Sequence, residues 1–198
     1  MAMLVLASRS AARRAMLEAA GVSADLDPAD VDEAALKERL LAGGRSPLQV
    51  AEALAAEKAL AVSRRAPGRL VLGADQTLDQ DGVLFDKAAD LTQAAERLRG
   101  FSGREHRLHS AAAIALDGKV IWTAVDTARL KVRPLSENFI QAYVERNAEA
   151  ALSSVGGYWL EAEGAQLFER VEGDYFTVLG LPLLPLLAFL RERGALPS

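Results

Sequence analysis

Residues 70–87 read LVLGADQTLDQDGVLFDK, and they predict both a buried strand and a hairpin. It begins with a short continuous run of apolar residues and one glycine, Leu70 to Ala74. Such a run is typical of a strand that is buried on both faces. The pattern predicts a strand that ends at Ala74 and delivers Asp75 at its end, where the buried strand would hold the acid rigidly.

The second half of the stretch predicts a β-hairpin. Asp81-Gly82 is a strong signal for a two-residue hairpin turn. A turn there pairs position 80 with position 83, and counting back along that register sets Gln76 opposite Lys87. An acid, an amide and an ammonium group would then converge at Asp75, a set suited to holding a divalent ion or activating water beside a polyphosphate. The alternative is an acid that only begins the hairpin and makes a surface ion pair.

Helical patterns alternate with strands and hairpins on both sides of this stretch. The apolar run from Met3 to Ala7 predicts a first strand, followed by a polar loop and a helix that ends at Gly21. Capping residues predict further helices over 32–41, 46–62, 91–100, 136–146 and 182–193. The second of these begins with a capping-box pattern, in which Ser46 is the N-cap, Pro47 the first helical residue and Gln49 follows three residues after the cap. A hairpin is predicted at Asp117-Gly118 and short strands over 155–178. The whole chain, 1–198, is predicted to be one α/β domain with a mixed sheet.

Composition excludes several classes of protein. The chain has 198 residues, of which 51% are hydrophobic and 25% charged, and its net charge is -4. That balance argues against stable nucleic-acid binding by broad charge neutralisation. With no cysteine, disulfides, thiolate metal sites and thiol nucleophiles are excluded. The most apolar stretch, Phe176 to Leu190, is too short to cross a bilayer and contains Pro182 and Pro185. We expect a cytoplasmic protein without membrane attachment.

A second candidate site follows the predicted first strand, where Ser8-Arg9-Ser10 leads into Arg13 and Arg14. The N-terminus of a helix offers unpaired N–H groups, and hydroxyls and a guanidinium add donors for phosphate oxygens. The alternative is that Ser10 only caps the helix while both arginines are solvated. The glycine-rich nucleotide-binding loops GxxxxGK[ST] and GxGxxG are absent.

Lys58 and the two histidines are less specific indicators of a functional site. Lys58 shares a helical stripe with apolar residues, so its side chain either extends to solvent or points into a site. His106 and His109 are the only histidines, and on a strand they would face opposite sides of the sheet. That spacing argues against a metal bound by both.

Five blocks, in this order, resemble the signature blocks of the Maf family of nucleoside triphosphate pyrophosphatases, historically associated with inhibition of septum formation. They are LASRSAARR (6–14), AAEKA (55–59), GADQ (73–76), FSGR (101–104) and EGDY to GLPL (172–183). The resemblance implies an elongated fold of two lobes with a central cleft, similar to the inosine triphosphate pyrophosphatases, often as a homodimer. It also implies hydrolysis of a nucleoside triphosphate to the monophosphate and pyrophosphate with Mg²⁺ or Mn²⁺.

The resemblance also implies roles for individual residues. Asp75 matches the family's catalytic acid, a proton acceptor, and Glu33 falls where the family places an acidic residue near the metal. The family's phosphate-handling positions are occupied here by Ser8, Arg13, Lys58 and Lys87. The usual Gly-Lys-Pro at the last of these is Asp86-Lys87-Ala88, which keeps the lysine and changes the turn around it.

Three positions separate the family's branches by substrate: Ala12, Gln76 and Glu161. The branch acting on dTTP and UTP carries arginine, threonine and glutamine there, so the latter two residues resemble the 7-methyl-GTP branch instead. A carboxylate at Glu161 could accept hydrogen bonds from N1–H and the exocyclic amine of guanine. The positive ring of 7-methylguanine would gain a cation–π term of roughly 0.5 to 2 kcal/mol on Trp159. Ala12 has no aromatic ring, whereas the 7-methyl-GTP branch can carry one at this position.

Three other functions stay open on the sequence. One is a regulator of cell division that binds nucleotide without hydrolysing it. The second is a dTTP and UTP pyrophosphatase, and the third is a triphosphatase for unmethylated purines or inosine.

Overall fold

The computed structural model of the chain describes residues 4–197. Its strands are β1 (Leu4–Leu6), β2 (Ala24–Leu26), β3 (Leu70–Gln80), β4 (Val83–Phe85), β5 (Glu105–Leu116), β6 (Lys119–Val132) and β7 (Phe168–Glu172). Its helices are α1 (Ala11–Ala19), α2 (Glu33–Ala42), α3 (Pro47–Ser63), α4 (Leu91–Phe101), α5 (Glu137–Arg146), α6 (Ala148–Ser153), α7 (Tyr175–Leu179) and α8 (Leu183–Glu192), with a 3₁₀ turn at Glu163–Leu167. The predicted first strand began at Met3, which lies outside the described residues.

All seven strands form one mixed sheet in the order β2-β1-β3-β5-β6-β7, with β4 also paired to β3. β1 runs parallel to both β2 and β3, and the remaining pairs are antiparallel. The prediction of an α/β fold with a mixed sheet is confirmed. β3 is central because it pairs with three strands, β1, β4 and β5.

The predicted end of the central strand is wrong. β3 does not stop at Ala74 but continues to Gln80, so Asp75 lies in the interior of a strand. The cause is tertiary: β5 pairs with β3 all the way from Val71 to Asp79, and this ladder holds the polar half of the segment extended. The apolar run therefore marked only the first half of a longer strand, which is buried along nearly its whole length.

The hairpin turn is confirmed, but its ladder is shorter than predicted. Gln80 pairs with Val83 across Asp81-Gly82, and both turn residues have positive φ, as this turn requires. Pairing ends at Leu78 and Phe85, so the predicted pair of Gln76 with Lys87 is not formed.

One edge of β3 is left without a neighbouring strand over residues 73–77. The parallel ladder of β1 ends where Leu6 pairs with Leu72, and one more hydrogen bond joins the Ala7 N–H to the Leu72 carbonyl. The ladder of β4 begins only at Leu78. Within the described part of the chain, Asp75 is therefore at the middle of a gap between two strands on the same edge.

Helix α3 packs closely on one face of the sheet. Alanines line the contact on both sides, and Gly73 lies beneath the helix, where a Cβ would come within 2.1 Å of the Ala55 carbonyl oxygen. Small residues thus let the helix approach the strand backbone. The helix begins with the predicted capping box, in which Ser46 Oγ accepts from Gln49 N and Gln49 Oε1 accepts from Ser46 N.

Two large cores lie on the opposite face of the sheet. The first joins α1 and α8 to β1 and β3, and the second joins α4, α5 and α6 to β3, β5 and β6. Helix α7 contributes Val178 to the second core, while Phe176 and Leu179 pack against the first. The two cores agree with the expected two-lobed fold.

The sequence patterns missed some elements. The three-residue strand β2 and the short helix α6 were not predicted, and the segment 155–178, predicted as short strands, holds one strand, a 3₁₀ turn and a helix. Within residues 4–197, no helix has both the length and the apolar character needed to span a membrane.

Candidate active site

Three charged side chains meet at the gap in the edge of β3. Lys58 Nζ lies 2.6 Å from Asp75 Oδ1 and 2.9 Å from Glu33 Oε1. The side chains of Lys58 and Asp75 are 10% and 9% exposed, so their ion pair is buried, whereas Glu33 is 44% exposed and reaches solvent. Lys58 therefore points into the site rather than extending to solvent along its helix.

Each member of the cluster comes from a different element. Asp75 is on β3 and Lys58 is in the middle of α3, on the side that faces the sheet. Glu33 is the first residue of α2, which begins there because Asp32 Oδ1 accepts from Ala35 N at 3.0 Å. Within residues 4–197, Asp75 Oδ2 makes no hydrogen bond, so one oxygen of this carboxylate is held and the other can contact a water molecule.

Arg13 is buried rather than solvated. Ser10 caps α1 by accepting from Arg13 N, and the guanidinium donates from Nε to the Gly180 carbonyl at 2.8 Å and from Nη1 to the Ala74 carbonyl at 3.0 Å. Burial lowers the pKa of Arg13, while the nearby charges of Asp75 and Glu33 act to raise it. A cation held by neutral carbonyls retains its attraction for an anion.

Ser8 is joined to the same group. Arg13 Nη1 and the Ser10 N–H both donate to Ser8 Oγ, each at 3.2 Å. Because both interactions use the oxygen as an acceptor, the hydroxyl proton of Ser8 can still be donated to a ligand. The structure thus places Ser8 and Arg13 together at the end of β1.

Gln76 points to the other face of β3 from Asp75, since adjacent strand residues alternate. Its Nε2 lies 3.0 Å from Ser110 Oγ and from the carbonyl oxygens of Thr177 and Val178. Carbonyl oxygens only accept, so the amide nitrogen faces them and the side chain ties β3 to α7. Gln76 remains a predicted specificity residue.

The remaining predicted residues do not contact this cluster. Lys87 is exposed and lies two residues beyond β4, and Glu161 is exposed in the turn that precedes the 3₁₀ turn. Ala12 is partly buried in the first turn of α1. Within residues 4–197, neither Lys87 nor Glu161 makes a hydrogen bond or ion pair with Asp75. Their roles in phosphate and base binding stay predictions.

The histidines lie on opposite faces of β5, as predicted. His106 Nε2 and the Tyr158 hydroxyl are joined by a 2.6 Å hydrogen bond, and the imidazole stacks on Phe101. Burial lowers the pKa of His106 to about 4. His109 instead contacts Thr127 Oγ1 at 2.8 Å and Asp79 Oδ2 at 3.4 Å, and burial lowers its pKa despite that carboxylate.

The carboxylates of the cluster fit a cation that is shared with a substrate. Residues 4–197 contain no group of three or more His, Asp or Glu side chains arranged to hold a metal ion. Asp75 and Glu33 supply two carboxylates, and Mg²⁺ is commonly bound by one or two carboxylates together with substrate phosphates. The donor set therefore suits Mg²⁺ or Mn²⁺ accompanied by a polyphosphate.

Sequence reasoning missed the polar residues that support the site from behind. Ser110 Oγ donates to the Thr177 carbonyl at 2.7 Å, and Thr177 Oγ1 donates to Asp126 Oδ2 at 2.8 Å. Gly180, which accepts from Arg13, has a φ of 104°. Gly180 and Thr177 fall within the last of the five sequence blocks, and nothing local in the sequence pointed to Ser110 or Asp126.

The fold and the site define an α/β protein with an acid–lysine cluster at the unpaired edge of its central strand. A family model described as "Maf-like protein" matches residues 3–193. A protein named "Nucleoside triphosphate pyrophosphatase" from Caulobacter vibrioides is 52% identical over 193 residues, 98% of this chain and 96% of that protein. One named "7-methyl-GTP pyrophosphatase" from Rhizobium meliloti is 50% identical over 196 residues, 99% of this chain and 98% of that protein. The chain belongs to the Maf family.

Proposed function

We propose that the protein is a nucleoside triphosphate pyrophosphatase, which converts a nucleoside triphosphate and water to the monophosphate and pyrophosphate. The observation that carries this proposal is the cluster of Asp75, Glu33 and Lys58 at the gap in β3, beside buried Arg13. The names of two relatives, about half identical over nearly their whole length, support the same activity.

The residues of the cluster and the other predicted phosphate-binding residues divide the chemistry between them. Asp75 accepts a proton from a water molecule, whose oxygen bonds to the α-phosphorus. The bond from the α-phosphorus to the oxygen that bridges to the β-phosphorus breaks, and pyrophosphate leaves with that oxygen. Lys58, Lys87, Arg13 and the hydroxyl of Ser8 bind the phosphate oxygens, so catalysis is mainly electrostatic.

Asp75 and Glu33 are the residues that would hold Mg²⁺ or Mn²⁺. When bound, the cation neutralises phosphate charge, which stabilises the leaving pyrophosphate. The buried guanidinium of Arg13 adds a positive charge that does not depend on the cation.

The proposed substrate is 7-methyl-GTP. Glu161 accepts hydrogen bonds from the Watson–Crick edge of the base, and Trp159 stacks on its ring. Gln76 and Ala12 are the other two positions at which the substrate branches of the family differ. Support comes from the exposure of Trp159 and Glu161 and from the name of the relative in Rhizobium meliloti, which is 50% identical. We further propose that the protein acts in the cytoplasm as a homodimer, which cell fractionation and light scattering of the purified protein test.

Pyrophosphate release tests the proposal directly. The purified protein is assayed with 7-methyl-GTP, GTP, ITP, dTTP and UTP, each with Mg²⁺ and with Mn²⁺. Pyrophosphate and monophosphate are expected in equal amounts, fastest from 7-methyl-GTP. Fastest turnover of dTTP and UTP, or of unmethylated purines, would overturn the base assignment alone. Saturable binding without pyrophosphate would overturn the activity and favour a nucleotide-binding regulator.

A further inference from the structure

The ammonium of Lys58 lies between the same two carboxylates that would bind a divalent cation. Its Nζ is within 3 Å of an oxygen of Asp75 and of Glu33, at 2.6 and 2.9 Å. Both contacts are too short for a second cation to lie between the lysine and either oxygen. Lys58 therefore occupies one oxygen of each carboxylate and competes with a metal ion for the same two groups.

The charges around Lys58 already balance. Asp75 and Glu33 contribute two negative charges, while Lys58 and the neighbouring Arg13 contribute two positive ones. A divalent cation bound to this group alone would add two positive charges to a neutral cluster of which part is buried, which is electrostatically unfavourable. When the same cation binds together with a triphosphate, the negative charge of the phosphates exceeds the positive charge of the cation.

We propose that Lys58 excludes a divalent cation from the free protein and admits it only together with the phosphates of a nucleotide. Lys58 then has two successive partners: the carboxylates in the free protein, and a phosphate oxygen in the complex. The inference rests on the proposed function, because it takes a polyphosphate as the ligand that draws Lys58 away. It extends the role of Lys58 from phosphate binding to control of the order in which ligands bind.

Removal of the ammonium gives a prediction that does not depend on turnover. In Lys58→Met, the ammonium that contacts both Asp75 and Glu33 is absent, and the methionine chain fills a similar volume. Mn²⁺, which carboxylates bind well, is the probe because it needs no nucleotide. We expect Lys58→Met to bind Mn²⁺ about tenfold or more tighter than the wild-type protein, because the competing charge is gone.

The experiment is calorimetric titration of MnCl₂ into the nucleotide-free protein. The matched control is Lys37→Met, because Lys37 Nζ also lies 2.6 Å from a carboxylate oxygen, that of Asp86, outside the cluster. The control should bind Mn²⁺ as the wild-type protein does. The double variant Lys58→Met/Asp75→Asn should lose the added affinity, since one of the two carboxylates is then neutral.

Thermal unfolding gives a second readout. Mn²⁺ should raise the melting temperature of Lys58→Met clearly and that of the wild-type protein little, because a ligand that binds only the folded state stabilises it. Where Lys58→Met does not fold with or without Mn²⁺, the same two measurements on Lys58→Gln decide the question.

Equal or weaker Mn²⁺ binding by the variant, with no added stabilisation, would overturn the inference. Pyrophosphate release by the wild-type protein is measured separately, so the two proposals can fail independently. Release with unchanged Mn²⁺ affinity in the variant overturns only the role of Lys58. Tighter Mn²⁺ binding without release from any nucleotide overturns the proposed reaction.

Discussion

Lys58 Nζ donates to Asp75 Oδ1 at 2.6 Å, and this contact joins the middle of α3 to the middle of β3. The contact is possible because Gly73, two residues before the acid, lets the helix backbone approach the strand. The geometry of the site and the packing of the core therefore depend on the same helix–strand contact.

Asp75→Asn should remove most of the activity and keep the fold. The amide can still accept a hydrogen bond from Lys58 but cannot take a proton from water, so we expect pyrophosphate release to fall about 100-fold or more. Asp79→Asn is the control, because Asp79 is buried on the same face of β3 but contacts His109 rather than Lys58. A similar loss in both variants would contradict a specific role for Asp75.

Gly73→Ala should destabilise the protein and disturb the site. A Cβ there would lie 2.1 Å from the Ala55 carbonyl oxygen and 2.5 Å from Ala59 N, so α3 must move away from the sheet. We expect the free energy of unfolding to fall by about 2–3 kcal/mol. The measurement is urea denaturation, together with pyrophosphate release at a temperature where the variant is folded.

The control for that substitution is Gly100→Ala in α4. A Cβ added at Gly100 would have no neighbour within 4 Å, and the residue has no positive φ, so alanine should raise the unfolding free energy by about 0.5 kcal/mol. Equal effects at the two glycines would show that close packing at Gly73 is not the cause.

Stability should fall as the pH is lowered through the range set by His106. Burial lowers the pKa of His106 from 6.5 to about 4, so the unfolded chain binds more protons than the folded protein between these values. The contribution of neutral His106 is complete above pH 6.5 and is lost toward pH 4, at about 1.4 kcal/mol per pH unit.

His106→Gln tests this pH dependence. Glutamine can still form a hydrogen bond with Tyr158 but does not titrate, so its unfolding free energy should decrease by about 2 kcal/mol less than that of the wild-type protein between pH 6.5 and 5.0. His109 is present in both proteins and cancels in the comparison. Parallel pH profiles from urea denaturation would contradict the burial of a neutral His106.

Glu161→Gln should weaken the selection of the base. The carboxylate offers two acceptors to the edge of guanine and the amide only one, so we expect kcat/KM for 7-methyl-GTP to fall about tenfold or more. Turnover of UTP should not change. Glu169→Gln, an exposed residue on β7, controls for the change in net charge. An unchanged value for 7-methyl-GTP would mean that Glu161 does not contact the base.

Features of the fold that depend only on residues close together in the sequence could be predicted. The Asp81-Gly82 turn and the Ser46 capping box need only local hydrogen bonds and backbone angles, and both were predicted correctly. The full length of β3 could not be, because pairing with β5 holds residues 76–79 extended. The strand β2 has only three residues, two of them exposed, and so carries no apolar pattern.

The candidate site, like the fold, could be predicted from the sequence only in part. Candidate functional residues such as Asp75 and Arg13 could be recognised from their type and position in the sequence. Their surroundings could not, because distant segments of the chain form them. Arg13 Nε donates to the Gly180 carbonyl 167 residues away, and Lys58 points inward because alanine packing fixes the rotation of α3. Distant contacts decide whether such a side chain points into the site or extends to solvent, and no local sequence pattern shows which direction it takes.

Hydrolysis in ¹⁸O-labelled water tests the proposed reaction at its chemical step, since it reports which phosphorus the water attacks. The wild-type protein is incubated with 7-methyl-GTP and Mg²⁺ or Mn²⁺, and the products are examined by mass spectrometry, with Asp75→Asn alongside. The account predicts one ¹⁸O atom in the monophosphate, none in the pyrophosphate, and almost no product from Asp75→Asn. Label in the pyrophosphate, release of orthophosphate, or undiminished turnover in Asp75→Asn would contradict it.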